Sequence, residues 1–125
     1  MTTVLLVDDE PLIAMALQAA LEDENYRVIT AANGRQGLER LTDTRADIVL
    51  LDMMMPVMNG PAMLNAMATD PKLCDIPVIV ASSLPEATIR LQAKDARMIL
   101  QKPYTAEQVL QAIARVLDQA RPIEG

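Results

Sequence analysis

The chain has 125 residues, 51% of them apolar, and a formal charge of −6 from 11 basic and 17 acidic side chains. Length and apolar content suit a single domain with a real core and exclude a disordered chain, and the acidic balance, with no Lys/Arg cluster among aromatics, argues against direct nucleic-acid binding. One cysteine, Cys74, and no histidine exclude an internal disulfide and a zinc site.

The apolar pattern alternates between two periods along the chain. Val4 to Val7 is a continuous Val/Leu run, as expected of a strand buried on both faces. Pro11 suits a first helical turn, Ile13, Leu17, Ala20 and Leu21 follow at helical spacing, and the helix should end near Asn25. Arg27 to Ala31 reads as a second strand, Asn33-Gly34 as a turn, and Leu38 and Leu41 as the inner face of a short helix. Asp47 to Leu51 is the third strand, and Gly60-Pro61 opens a helix with Met63, Leu64 and Met67 inward. Val78 to Ala81 is the fourth strand, followed by a short helix from Pro85 to about Ala93. Arg97 to Gln101 is the fifth strand, Thr105 caps the last helix, and Val109, Leu110, Ile113, Val116 and Leu117 form its core stripe. Strands alternating with helices over short connections predict an open, doubly wound parallel sheet of flavodoxin-like (βα)5 type, order 2-1-3-4-5, in one domain. Residues 1–125 form that domain, with a core from about 3 to 120 and a short tail from Arg121 to Gly125.

In such sheets the functional crevice lies beyond the carboxyl ends of the strands. Asp8 and Asp9 follow the first strand, Asp52 ends the third, Ser82 and Ser83 follow the fourth, and Lys102 follows the fifth. Gathered carboxylates repel, and a hard divalent cation relieves that repulsion through oxygen ligands, Mg²⁺ being suited to a shallow, open site. Asp52 is then a candidate nucleophile toward phosphorus, Lys102 a neutraliser of charge on the transferring group, and Ser82 a hydroxyl donor to it. Singly, each residue has a plainer reading: Asp8-Asp9 as acids at a helix N-terminus, Asp52 as a loop acid, Ser82 as a turn residue, Lys102 as a surface charge. Their shared placement at strand ends favours the joint reading.

At these residues the chain resembles the receiver domain of two-component response regulators. The motifs are Leu-Leu-Val-Asp-Asp-Glu, Asp-Met-Met-Met-Pro-Val-Met-Asn-Gly, Pro-Val-Ile-Val-Ala-Ser-Ser and Lys-Pro-Tyr, in order, across residues 3 to 120. The resemblance implies that Asp52 is the phosphoacceptor and that Asp8, Asp9, Asp52 and the backbone carbonyl of Met54 hold Mg²⁺. It implies that Ser82, the Ser83 amide and Lys102 contact the phosphoryl group, and that a cis bond precedes Pro103. Three positions depart from the family pattern: Ile99 stands where an aromatic switch residue is usual, the fourth helix is short, and Asp95-Ala96 replaces a frequent Gly-Ala.

The implied function is a signalling phosphoacceptor rather than an enzyme, taking phosphate from a histidine kinase or histidine phosphotransfer protein and switching the binding of an output protein. A phosphorylation-dependent homodimer through the helix 4–strand 5–helix 5 face is one form of that output. The competing readings are a receiver excised from a hybrid histidine kinase, an interaction domain that keeps the site but does not switch, and an Asp-nucleophile phosphatase. The last needs a second acid two residues beyond Asp52, where Met54 stands. Two tyrosines, Tyr26 and Tyr104, as the sole aromatics argue against a flavin carrier. No apolar run spans a membrane and no export leader is visible, so a cytoplasmic location is expected. The nine methionines read as flexible core filler.

Overall fold

The computed structural model describes residues 1–120; the expected tail from Arg121 lies outside the described residues. The elements run β1 (Thr3–Val7), α1 (Pro11–Asp23), β2 (Arg27–Ala31), α2 (Gly34–Asp43), β3 (Ile48–Asp52), α3 (Gly60–Ala68), β4 (Val78–Ser82), α4 (Glu86–Gln92), β5 (Met98–Gln101) and α5 (Ala106–Ala120). All strand pairs are parallel, in the order β2-β1-β3-β4-β5. The expected flavodoxin-like architecture is the one observed.

The three central strands are buried along their whole length, which is why their sequences are unbroken apolar runs rather than alternating ones. Alternation survives as a choice of face. Leu5, Val7, Val49, Leu51 and Val80 pack against Leu41, Met63, Leu64, Met67 and Ile89 of α2, α3 and α4. Val4, Leu6, Ile48, Leu50 and Ile79 pack against Leu17, Leu21, Val109, Ile113 and Val116 of α1 and α5. Each such side chain contributes about 1.5–3 kcal/mol on burial, so the two layers hold the sheet between them.

Local chemistry sets the helix ends. The Asn33 and Asn59 side chains accept from the N–H groups of Gln36 and Ala62, capping α2 and α3. Thr105 caps α5 as expected, and its pairing is reciprocal: Gln108 N donates to Thr105 Oγ1 at 3.1 Å and Thr105 N donates to Gln108 Oε1 at 2.8 Å. Helix α1 stops at Asp23, short of the expected Asn25. Asn25 instead takes the left-handed conformation (φ 67°), with Tyr26 N donating to Leu21 O and Asn25 N to Glu22 O, a closing motif that satisfies the last carbonyls.

Strand edges shift by one residue. Strand β3 starts at Ile48, just after the Asp47 carboxylate accepts from Thr3 N at 2.8 Å, and β3 runs through Asp52 itself. Strand β5 starts at Met98 rather than Arg97. The Lys102–Pro103 peptide bond is cis. Among the described residues, no helix is long and apolar enough to cross a membrane.

Candidate functional site

The carboxyl ends of β1, β3, β4 and β5 meet on one rim of the sheet. Parallel pairing sets Val7 beside Leu51, Asp52 beside Ala81, and Ser82 beside Gln101. The residues just past those positions therefore converge, although up to about a hundred sequence positions separate them. Lys102 Nζ lies 3.3 Å from Asp52 Oδ2. The Asp52 side chain is 5% exposed, and its other oxygen accepts from Met54 N at 3.3 Å. Lys102 N donates to Ser82 O at 2.9 Å, which extends the β4–β5 ladder and fixes where the lysine leaves the sheet.

Asp8 is buried beside this pair, and its carboxylate accepts from Glu10 N at 2.9 Å. Burial pushes the Asp8 carboxyl above its ordinary range, the bond from Glu10 opposes this, the Asp52 charge pushes it up further, and Lys102 pulls it down. Two buried carboxylates thus share one ammonium. Uncompensated buried charge is costly, so the site is built to gain a cation.

The donor set suits one. Carboxylate oxygens of Asp8, Asp9 and Glu10 lie within 4.8 Å of one another, with Asp9 and Glu10 open to solvent, and hard oxygen donors of this kind suit Mg²⁺. Asp52 is not a member of that close set; it meets Asp8 through its charge and Lys102 through contact. Met54 turns its side chain outward, 66% exposed, leaving its backbone beside Asp52.

Ser82 is 1% exposed, and its Oγ accepts from Leu84 N at 3.0 Å. A hydroxyl that accepts there keeps its proton to donate elsewhere. Ser83, Lys102, Ile13, Pro103 and Tyr104 line an open cleft of about 430 Å³ beside the acids. Burial, together with the charges of Asp8, Asp52 and Glu10, raises the Tyr104 phenol to about 12, so it stays neutral across the physiological range.

The expected residues Asp8, Asp9, Asp52, Ser82, Ser83 and Lys102 all fall on this rim. Glu10 and Tyr104 were not among them. Glu10 is legible as a third consecutive acid, but before Pro11 it reads first as a helix-start residue. Tyr104 sits in the quoted Lys-Pro-Tyr motif without a role of its own. Ile99 is partly buried and packs against the core cluster that α2, α3 and α4 share with the sheet.

The response regulator receiver domain model matches residues 4–114. Protein PilH of Pseudomonas aeruginosa is 34% identical over 119 residues, covering 94% of this chain and 98% of PilH. Among solved structures, the chemotaxis protein CheY4 of Vibrio cholerae superposes with a TM-score of 0.87 at 30% identity, covering 93% of this chain and 98% of CheY4. The response regulator TrrA of Thermotoga maritima, solved in complex with Mg²⁺ and BeF, superposes with a TM-score of 0.83 at 26% identity, covering 93% of this chain and 99% of TrrA.

Proposed function

The chain belongs to the response regulator receiver domain family, and from that premise we propose that it accepts a phosphoryl group on Asp52 from a phosphohistidine donor. The donor is a histidine kinase or a histidine phosphotransfer protein. One Asp52 oxygen attacks phosphorus, the P–N bond breaks, and its electron pair leaves on the imidazole nitrogen. Lys102, 3.3 Å from Asp52, is the observation that carries this reading. An ammonium in contact with the accepting carboxylate stands beside any phosphoryl group bonded to it, where it offsets charge on the transferring oxygens. Ser82 offers its free hydroxyl proton and Ser83 its backbone amide to the same oxygens. Asp8 and Asp9, with Asp52 and the Met54 carbonyl, would hold Mg²⁺, and Glu10 stands beside them. The ion when bound supplies neutralising charge to phosphoryl oxygens.

Phosphorylation then shifts a two-state equilibrium of the face built from α4, β5 and α5, where an output protein or a second copy binds. The test is labelling by acetyl phosphate. Wild type takes up phosphate with Mg²⁺ present, while a chelator or Asp52→Asn reduces labelling at least a hundredfold, to about background. Labelling that survives either change refutes the assignment.

A second reading rests on Ile99. A partly buried aliphatic side chain packed against the core does not offer a ring to swing between inward and outward positions, which favours an interaction domain that keeps the chemistry without switching. Beryllofluoride separates the two readings: a changed oligomeric state or partner affinity on addition supports the switch, and an unchanged one supports the fixed domain.

A further inference from the structure

Gln101 occupies the last position of β5, in register with Ser82, the last residue of β4. Its amide Nε2 donates to the carbonyl of Leu84 at 2.9 Å. Leu84 in turn donates its own N–H to Ser82 Oγ at 3.0 Å. Leu84 is therefore held on both sides: its N–H by the buried serine hydroxyl, its carbonyl by the glutamine. The crossing from β4 to α4 is short, Ser83-Leu84-Pro85, and α4 begins without a side-chain cap, Pro85 at its N-cap having no N–H to give. Besides Ser82 at the end of β4 itself, Gln101 is, among the described residues, the side chain that hydrogen-bonds this crossing.

The consequence reaches the hydroxyl. A serine oxygen has one proton to give and two lone pairs to receive with. While Leu84 N–H occupies a lone pair, the proton is free to point into the anion site. Were the Leu84 backbone to rotate, the hydroxyl would lose that orientation and its proton could turn to a nearby carbonyl. Building on the phosphoacceptor reading, we propose that Gln101 is a positioning residue for phosphoryl binding: by fixing Leu84 it aims the Ser82 hydroxyl at the group carried on Asp52. It acts through Ser82 and touches no reacting atom.

Two measurements test this, both with the full chain. The first is the dissociation constant of Mg²⁺-beryllofluoride, by calorimetry, for wild type, Gln101→Met, Ser82→Ala and the double variant. Methionine keeps the length and loses the donor without adding charge. Gln101→Met should weaken binding about two- to tenfold, the span that one neutral hydrogen bond covers. In the Ser82→Ala background the same change should alter binding less than about twofold, because the route runs through the hydroxyl. An equal loss in both backgrounds, or none in wild type, overturns the proposal. The second is hydrogen exchange of the Leu84 amide, which needs no ligand. Gln101→Met should lower its protection by a similar factor, and unchanged protection overturns the proposal. Wild type that binds no beryllofluoride defeats the phosphoacceptor reading and this role with it, whereas intact binding with unchanged Leu84 protection defeats the role of Gln101 alone.

Discussion

Tyr104, in the cleft beside Lys102, and Val57, in the connection from β3 to α3, each carry an unusual local feature. The Tyr104 phenol, raised from 10.0 to about 12 by burial and by the acids Asp8, Asp52 and Glu10, resists ionisation because its anion would be poorly solvated and would face like charge. Its stabilising effect is complete below the ordinary phenol pKa. Between pH 10 and about 12 the unfolded chain releases the proton while the folded chain keeps it, so stability falls as pH rises through that window. Ultraviolet titration of Tyr26→Phe, which isolates Tyr104, should give a midpoint near 12 in wild-type surroundings. Adding Asp52→Asn or Asp8→Asn should move it downward, and an unmoved midpoint would mean that the acids do not face the phenol. Val57 has φ 68° and is 76% exposed, with Met58 N donating to Pro56 O across it at 2.7 Å. A β-branched residue in this tight turn is strained and gains little from packing. Val57→Gly should therefore raise stability by about 0.5–1.5 kcal/mol, the relief of strain exceeding glycine's added entropy cost, as read from denaturant midpoints.

At the scale of elements, the β3–α3 connection brings Asp52 and a helix start into close approach. A Cβ built on Gly60 would stand 2.6 Å from Asp52 O and 2.8 Å from Met53 Cα, both backbone atoms. Neither can yield without moving β3, so Gly60→Ala should cost about 1–3 kcal/mol and slow phosphorylation by displacing Asp52. A variant with normal stability and labelling would show that the loop relaxes freely. Gly60-Pro61 was readable as a helix start, but not this contact, which depends on where β3 ends. The same division runs through the molecule. Central strands were legible because burial on both faces leaves no polar residue in Val4 to Val7 or Ile48 to Leu51. The α5 stripe was legible from its spacing, and Thr105 from its capping chemistry. Boundaries shifted where a tertiary bond or a closing motif intervened, as with Asp47 bonding Thr3 and Asn25 turning left-handed. Asp52 and Lys102 could be joined in advance because strand order brings their ends together. Gln101 could not, because its role rests on a carbonyl 17 residues away that has no sequence signature.

The whole molecule is two apolar layers clamped on one sheet, with the chemistry gathered at a single rim of four strands. A ligand on that rim therefore reports on global stability. In the free protein the buried Asp8 and Asp52 repel each other, with one lysine to offset them, and the unfolded chain feels none of this. On the phosphoacceptor reading, Mg²⁺ with beryllofluoride would replace the repulsion with shared neutralisation and bind the native state alone. At one hundred times its dissociation constant it should stabilise the fold by about 2.7 kcal/mol, a rise in Tm on the order of 10 °C for a chain of this size. Mg²⁺ alone should give a smaller rise, beryllofluoride without Mg²⁺ none. Asp52→Asn should abolish the increment due to beryllofluoride, while an acid of the α1 entrance, Asp9→Asn, should weaken the response to both. Calorimetric scans across ligand concentration decide the matter. If Asp52→Asn keeps the full increment, the anion binds elsewhere, and the contact between Lys102 and Asp52 is a structural ion pair rather than the seat of phosphoryl transfer.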